Sequence, residues 1–181
     1  MFIHTIDEEL SLKLIELKDA DRIFKLTNDS RNYLREWLPW LDETTNIEDT
    51  KAFIQMCLTG FAENRNLTTA IVYKGQIVGV AGFNQINRSN QVAQIGYWLA
   101  QVYQGNGIMT RVASALTDYA FHELSLNKVE IIAAVGNTKS RSIPERLNYV
   151  QEGSIRQAEW LYDHYVDHVV YGVLAEEWNS K

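Results

Sequence analysis

A strand, a glycine turn and a long helix follow one another over residues 95–124, and this stretch constrains the fold most strongly. Residues 95–99 are predicted as a strand, and a turn at residues 104–107 precedes a helix that begins at Ile108. Apolar residues recur at every fourth position of that helix, so they lie on one helical stripe. The stripe consists of Ile108, Val112, Leu116, Ala120 and Leu124.

The turn contains two glycines, Gly105 and Gly107, directly before the helix. Glycine tolerates positive φ and lets a ligand approach the backbone where a Cβ would block it. The first N–H groups of a helix have no partner inside the helix, and the helix dipole attracts anions to that end. The turn therefore indicates a seat for a phosphate or pyrophosphate group. The alternative is a tight turn that binds no ligand, and the residues alone do not decide between these two interpretations.

Two better-defined phosphate motifs are excluded by the residues after Gly107. A P-loop requires Lys-Ser or Lys-Thr after its last glycine, whereas Ile108 and Met109 stand here. The dinucleotide-binding fingerprint requires a glycine or alanine three residues after Gly107, and that position is Thr110.

The remaining pattern, Gln-x-x-Gly-x-Met-Thr from Gln104 to Thr110, follows a Gly-Tyr-Trp-Leu strand. It resembles the acyl-coenzyme A loop of the GNAT superfamily of N-acetyltransferases, usually Gln/Arg-x-x-Gly-x-Gly/Ala. Met109 replaces the final small residue, and this departure is similar to the ribosomal-protein alanine/serine N-acetyltransferases of the RimJ and RimL type.

A second set of motifs in the last third of the chain is similar to the same branch. Asn137-x-x-Ser140, with Asn148-Tyr149 after it, resembles a GNAT segment written Asn-x-x-Ser that ends in Gly-Phe. Pro144 is expected in the first turn of the helix in this segment, where a missing N–H is tolerated. The motifs at residues 157–160 and 167–171 continue the resemblance, which covers nearly the whole chain in order.

The resemblance implies an α+β, GNAT-like acyl-CoA N-acyltransferase fold, with a mixed, mostly antiparallel central sheet flanked by helices. It also implies acetyl-CoA as co-substrate, an oxyanion donor on the strand backbone before the turn, and Asn137 at the pantetheine arm or ordering its loop. By the same resemblance, Ser140 protonates the leaving sulfur and Glu159 acts as base through water. The coenzyme-binding positions that it implies are Trp98, Leu99, Ala100, Gln104, Gly105, Asn106, Gly107, Ile108, Met109, Thr110 and Asn137.

Each of these roles has a structural alternative. Ser140 could serve as the N-cap of the helix after Asn137, a role that is compatible with catalysis. Glu159 could be a solvated strand residue. The Trp-Leu-Pro-Trp segment at residues 37–40 fits either an aromatic core cluster or a wall of the acceptor groove, and it too resembles the ribosomal-protein branch.

Composition limits the remaining possibilities. The 181 residues predict a single N-acetyltransferase domain over residues 1–181 with a sizeable core. A net charge of −6 and the lack of a dense Lys/Arg run argue against direct nucleic-acid binding.

The single Cys57 excludes an intrachain disulfide and is expected to be buried in an apolar helix. With no signal peptide and no 18-residue apolar run, we expect a cytoplasmic protein without membrane contact. The isolated histidines predict no metal site.

The rest of the chain predicts further elements in order. A first strand is expected at Leu12 to Leu17, a helix capped by Asp19 or Asp21, and a helix that Pro39 ends. Asn46 or Thr45 is expected to cap a helix to Ala62, with an apolar stripe of Phe53, Ile54, Cys57, Leu58 and Phe61. Further strands are predicted at residues 69–73, 76–87, 91–99 and 129–135, then a short helix to Leu147 and two strands around the turn at residues 162–164.

Three functions stay open at this level. The favoured one is transfer of acetyl from acetyl-CoA to the N-terminal α-amine of a protein, with a ribosomal protein as the expected partner. The alternatives are acetylation of a small amine, such as a polyamine or antibiotic, and acyl-CoA binding without catalysis. Nothing in the sequence sets the oligomeric state, so an oligomer is also open.

Overall fold

The computed structural model describes residues 3–179, excluding the side chain of Asn179. Its strands are β1 (Ile3–Thr5), β2 (Leu10–Leu14), β3 (Leu67–Tyr73), β4 (Gln76–Asn87), β5 (Val92–Leu99), β6 (Lys128–Ala134), β7 (Val150–Leu161) and β8 (His164–Leu174). Its helices are α1 (Ala20–Asp29), α2 (Arg31–Arg35), α3 (Ile47–Ala62), α4 (Ile108–His122), α5 (Thr138–Arg146) and α6 (Ala175–Asn179). Short 3-10 helices lie at Leu17–Asp19 and Gln101–Tyr103.

The described residues form two compact units, one of residues 3–82 with 97–108 and one of residues 83–96 with 109–179. Hydrogen-bonded strands follow the order β1-β2-β3-β4-β5 in the first unit and β4-β5-β6-β8-β7 in the second. Most pairs are antiparallel, but β5 and β6 run parallel, with Ile95 opposite Ile131. A mixed, mostly antiparallel sheet with helices confirms the predicted fold class.

The first unit has a core between α1, α3 and the sheet. It contains Ile15, Ala20, Ile23, Ile54, Cys57 and Val80, with the partly buried Trp98 packed against it. Asn46 caps α3 as predicted, and its side chain accepts from the Glu48 N–H at 2.8 Å. Cys57 is a buried free thiol as predicted, and burial raises its pKa, which opposes thiolate formation.

The predicted stripe of α3 is wrong at two positions, because Phe53 and Phe61 are 37% and 44% exposed. The buried face of α3 instead includes Thr50, Ile54, Cys57 and Gly60, which is narrower than the apolar pattern suggested. Gly60 lies close to the side chain of Asn66, so this face meets a polar loop and not only apolar side chains.

The strand predicted at Leu12 to Leu17 is present, but its bounds are Leu10–Leu14. The segment with Leu12 and Leu14 is the second strand, because the short, exposed β1 precedes it. Leu17 lies beyond β2 in a 3-10 helix and is 46% exposed, so it contributes little to the core. The helix predicted to end at Pro39 already ends at Arg35.

In α4, the stripe of Ile108, Val112, Leu116 and Ala120 is buried as predicted. Leu124 lies beyond the end of the helix at His122 and is only partly buried. Buried residues of β6 alternate, with Val129, Ile131 and Ala133 opposite Val173, Tyr171 and Val169 of β8. Val135, predicted as part of this strand, is 41% exposed and follows its end.

The end of α5 explains the Asn148-Tyr149 pair that replaces Gly-Phe. Asn148 has φ +59°, the left-handed conformation that asparagine tolerates better than most residues other than glycine. The Tyr149 N–H donates back to the Pro144 carbonyl at 3.0 Å, and the Asn148 N–H donates to that of Glu145 at 3.1 Å. The Tyr149 hydroxyl lies 2.6 Å from Thr117 Oγ1 in the core, a contact that phenylalanine could not make.

Candidate active site

The glycine turn before α4 has the geometry that its sequence predicted. Gly105 and Gly107 have φ of +80° and +66°, and both are exposed. A Cβ built on either glycine would meet no protein atom within 4 Å, so the space beside this backbone is open. Asn106 supports the turn, because its side-chain amide donates to the Tyr103 carbonyl at 3.0 Å.

Gln104, the first residue of the motif, forms a side-chain hydrogen bond with Tyr33 of α2. Burial raises the pKa of Tyr33, and the bond to Gln104 acts in the opposite direction. Tyr103 is held by Arg22, whose Nη2 donates to the tyrosine hydroxyl at 3.3 Å. These anchors were not predicted, because Tyr33 and Arg22 are distant from the turn in sequence.

The strand backbone before the turn is only partly available as an oxyanion donor. The Ala100 N–H donates to the Val78 carbonyl at 3.0 Å, so this group is already occupied. The candidates for the donor are therefore narrowed to the N–H groups of Trp98 and Leu99. The Trp98 ring packs on the core and lies 6.4 Å from the ring of Trp40, centroid to centroid.

Trp37, Leu38 and Trp40 are all half-buried, while Pro39 is exposed. The contact of Trp40 with Trp98 is a packing interaction and places this segment beside the strand that leads to the glycine turn. Both interpretations of the segment, core cluster and acceptor wall, remain compatible with this placement.

The first residues of α4 differ in their environment. Ile108 and Met109 are buried, at 1% and 8% exposed, while Thr110 is half-buried. The side chain of Met109 is thus directed into the core, which explains how a large residue can replace the usual small one. Its backbone N–H belongs to the first turn of a helix of 15 residues, where such groups have no partner inside the helix.

Asn137 and Ser140 come together at the start of α5 in the second unit. Asn137 is the N-cap of this helix, and its Oδ1 accepts from the Ser140 N–H at 3.1 Å. The alternative that Ser140 is the N-cap is therefore wrong, since Ser140 is the third residue of the helix and is half-buried. Asn137 orders the start of this helix, and its expected role at the pantetheine arm stays a prediction.

Pro144 is also placed differently from the prediction, in the second turn of α5 and not in the first. Proline has no N–H, so the Ser140 carbonyl four residues earlier lacks its usual helical donor. The helix continues only to Arg146 and then ends in the Asn148 turn.

Glu159 lies on β7 opposite Val166 of β8. Its side chain is 31% exposed, whereas the residues at 154–158 and Trp160 are exposed. Its Oε2 lies 3.3 Å from His168 Nε2 on the neighbouring strand. The carboxylate is thus partly buried and lies beside His168, and both interpretations of Glu159, base and solvated strand residue, stay open.

Ser140 and Glu159 lie on different elements of the second unit, α5 and β7, and Asp167 of β8 bonds to the backbone near each of these elements. The Asp167 carbonyl accepts from the Val135 N–H at 2.9 Å, just before α5, while the Asp167 carboxylate accepts from the Gln157 N–H of β7 at 2.7 Å. Asp167 and His168 were noted in the sequence only as part of a motif, and no role was predicted for them.

A carboxylate and a serine hydroxyl can accept and donate protons, and an open glycine turn can bind an anion. Over residues 3–179, no three His, Cys, Asp or Glu side chains cluster as metal ligands. Within the same range, no helix is long and apolar enough to span a bilayer.

The mixed, mostly antiparallel sheet and the glycine turn before α4 are features that the resemblance to acyl-coenzyme A acyltransferases predicted. Residues 9–150 match the model of the acetyltransferase (GNAT) domain, and the chain belongs to this family. The chain is also similar to the Bacillus subtilis (strain 168) protein YdaF, with 34% identity over 183 residues and all of both chains covered. The family relation supports acetyl transfer to an amine.

Two solved structures are similar over almost their whole length. One is RimL, a ribosomal L7/L12 alpha-N-protein acetyltransferase in complex with coenzyme A, with a TM-score of 0.93 and 26% identity. The similarity covers 96% of this chain and 98% of the RimL chain. The other is the microcin C7 self-immunity acetyltransferase MccE in complex with acetyl-CoA and AMP, with a TM-score of 0.89 and 28% identity. The similarity covers 93% of this chain and 94% of the MccE chain.

Proposed function

We propose that this protein transfers the acetyl group of acetyl-CoA to the N-terminal α-amine of a protein, with ribosomal proteins as the acceptor class. The observation that carries the proposal is the placement of Glu159, a carboxylate held half-buried beside His168 within a largely exposed strand. The similarity to RimL, whose structure contains coenzyme A, supports both the co-substrate and the acceptor class.

The reaction requires two proton movements. The neutral amine nitrogen attacks the thioester carbonyl carbon, forming a C–N bond and a tetrahedral oxyanion. The C–S bond then breaks, the sulfur takes a proton, and the nitrogen loses one, which yields the acetylated amine and free coenzyme A. The protein must therefore supply a base, an oxyanion donor and an acid.

The candidate residues have properties that suit these tasks. Glu159 accepts the amine proton through water, and the hydroxyl of Ser140 protonates the departing sulfur. An N–H of Trp98 or Leu99 donates to the oxyanion, since that of Ala100 is occupied. The turn at Gly105 and Gly107 leaves open backbone for the pyrophosphate of the coenzyme, as a phosphate site requires.

A small amine is the second candidate acceptor, and the similar MccE structure contains a small molecule, AMP, as well as acetyl-CoA. An α-amine has a reference pKa of about 8, whereas an alkyl amine such as that of lysine is near 10.4. A weak base such as a single carboxylate therefore suits an α-amine better at neutral pH. Acyl-CoA binding without catalysis is the third candidate, and it would leave the half-buried Glu159 without a chemical role.

The test is an acetylation assay with the purified chain, acetyl-CoA, peptides with the N-termini of ribosomal proteins, and a panel of polyamines and aminoglycosides. Release of the coenzyme thiol gives the rate, and mass spectrometry of the peptides gives the modified atom. We expect turnover on peptides with a free α-amine and none on the same peptides with a blocked N-terminus.

Turnover on the amine panel with no reaction on any peptide would replace the proposal with small-amine acetylation. Coenzyme binding by calorimetry without turnover on either panel would favour the non-catalytic alternative. In the peptide assay, a lysine-containing peptide with a blocked N-terminus separates α-amine from side-chain transfer.

A further inference from the structure

An irregularity in the β7–β8 ladder lies directly before Glu159. Ile155 pairs with His168, but Glu159 pairs with Val166, so four steps along β7 correspond to two along β8. The residues at 156–158 between these pairs form a bulge. Bulges change where the following side chains point, and they are frequent beside active sites.

The bulge moves Glu159 from the end of the hairpin to the side of His168. If the register at Ile155 continued without interruption, Glu159 would face His164 at the turn of the hairpin. With the bulge, Glu159 faces Val166 and lies diagonally across from His168. Side chains at alternating positions of β8 share one face of the sheet, so Val166 and His168 both lie on the side of Glu159.

Specific contacts maintain the bulge. Gln157 has φ +48°, a left-handed conformation that is unfavourable for a residue other than glycine. Its N–H donates to the carboxylate of Asp167 at 2.7 Å, a charge-assisted bond that offsets this cost. The residue that secures the bulge is thus the immediate neighbour of the residue that meets Glu159.

The two side chains are close enough for a hydrogen bond, with 3.3 Å between His168 Nε2 and Glu159 Oε2. An ionised carboxylate has only acceptors, so a hydrogen bond to it requires the hydrogen to be on Nε2 of His168. Both side chains are shielded, at 20% exposed for His168 and 31% for Glu159. A hydrogen bond at such a site restricts the carboxylate to few orientations more effectively than one in open solvent.

We propose that His168 is a positioning residue, which orients the carboxylate of Glu159 for the acceptor amine. The inference rests on the proposed function, in which Glu159 is the base. His168 does not itself exchange a proton with the substrate. A general base must lie within hydrogen-bond reach of its proton or of a bridging water. A Glu159 carboxylate that rotates freely would therefore lower the reaction rate without changing coenzyme binding.

Two substitutions separate positioning from bulk. His168→Leu replaces the imidazole by an apolar side chain of similar size and removes the donor, and His168→Gln restores an N–H at nearly the place of Nε2. We expect His168→Leu to lower kcat by about tenfold, with KM for acetyl-CoA within about twofold, and His168→Gln to recover most of the loss.

The pair must also be coupled. In a Glu159→Gln background, His168→Leu should cause no further loss of kcat, because the group that it positions is no longer a base. The matched control is His122→Leu on the last turn of α4, an exposed histidine that contacts the Asp118 carbonyl at 3.0 Å. This control should keep the wild-type kcat.

Several outcomes overturn the inference. If Glu159→Gln is impaired while His168→Leu has full activity, only the role of His168 is lost and the proposed function stands. Equal losses in His168→Leu and His168→Gln, or losses that multiply in the double variant, would show that His168 does not act through Glu159. Full activity of Glu159→Gln would overturn both the base assignment and the role of His168.

Discussion

At the scale of single residues, the start of α5 assigns the N-cap to Asn137, so capping and catalysis are not combined in Ser140. Asn137 supplies the cap, and Ser140 contributes its backbone N–H to that cap from the third position of the helix. The side chain of Ser140 is therefore not needed to begin the helix. This division makes the catalytic role of Ser140 testable without a large change in stability.

Ser140→Ala is expected to lower kcat and kcat/KM together by at least about tenfold, because protonation of the sulfur matters only as the C–S bond breaks. The free energy of unfolding should fall by less than the roughly 1 kcal/mol expected for loss of the cap, since alanine is accepted inside a helix and the cap is intact. Steady-state kinetics and thermal unfolding of the same preparation test both statements.

Asn137→Ala is the matched variant for stability, and it should lower the free energy of unfolding by about 1 kcal/mol through loss of the cap. A Ser140→Ala protein that is equally destabilised but keeps its kcat would show that the serine has a structural role only.

Glu159→Gln tests the base through the pH profile. Glutamine keeps the size and a hydrogen-bond acceptor but cannot take a proton. An α-amine with a pKa near 8 is mostly protonated at pH 7 and mostly neutral by about pH 9. The variant should therefore show its largest deficit in kcat/KM at low pH and a smaller one as the pH approaches about 9. The measurement is kcat/KM for an N-terminal peptide between about pH 6 and pH 9.

A deficit of the same size at every pH would instead indicate that Glu159 positions the acceptor. An unchanged rate at pH 7 would leave the base unassigned and return Glu159 to a purely structural role.

At the scale of elements, the turn between β5 and α4 requires positive φ at two glycines and has open space beside them. Both glycines have positive φ, yet no protein atom lies where a Cβ would be placed. Elsewhere in the chain, Gly79 shows the contrasting case, because an added Cβ would meet the backbone carbonyl of Trp98. The turn glycines are thus required for backbone shape, and the space beside them is open.

Gly107→Ala should weaken coenzyme A binding by about tenfold or more, because alanine disfavours φ +66° and adds a methyl group beside the backbone N–H groups of the phosphate site. Isothermal titration calorimetry of the folded variant is the measurement. Unchanged affinity would remove the phosphate-site interpretation of this turn.

Gly75 offers a matched control in the β3–β4 hairpin, with φ +77° and equally open surroundings. Gly75→Ala should cost a similar amount of stability, about 1 kcal/mol, without any change in affinity for coenzyme A. The comparison separates backbone strain from the loss of a ligand contact.

At the scale of the whole molecule, ligand binding and folding are linked, because a coenzyme that binds only the native state stabilises it. At a free concentration of about 100 times Kd, coenzyme A should raise the free energy of unfolding by about 2.7 kcal/mol. Chemical denaturation with and without the coenzyme measures this shift in the wild type. Gly107→Ala at the same coenzyme concentration should show a clearly smaller shift, whereas Gly75→Ala should show the full one.

The described residues divide into two compact units, and the family model covers residues 9–150. A single acetyltransferase domain over residues 1–181 stays a prediction, as does the cytoplasmic location. The acetylation assay decides among acetylation of protein N-termini, acetylation of small amines, and coenzyme binding without catalysis.

The local features of this chain follow from its sequence, because they depend on residues within about four positions of one another. The buried stripe of α4 from Ile108 to Ala120 and the Asn46 cap of α3 formed as predicted. The glycine turn before α4 was likewise evident, since positive φ at Gly105 and Gly107 is a property of the residues themselves.

Only the tertiary structure decided which apolar side chains are buried and which polar ones meet. The exposure of Phe53 and Phe61 depends on what packs against α3, which periodicity within the helix does not specify. Gln104 meets Tyr33, and Glu159 meets His168, through packing and strand register between distant parts of the chain. A two-residue change of register at the bulge alters the partner of Glu159 while leaving the apolar pattern of β7 unchanged, so no local signal could have indicated it.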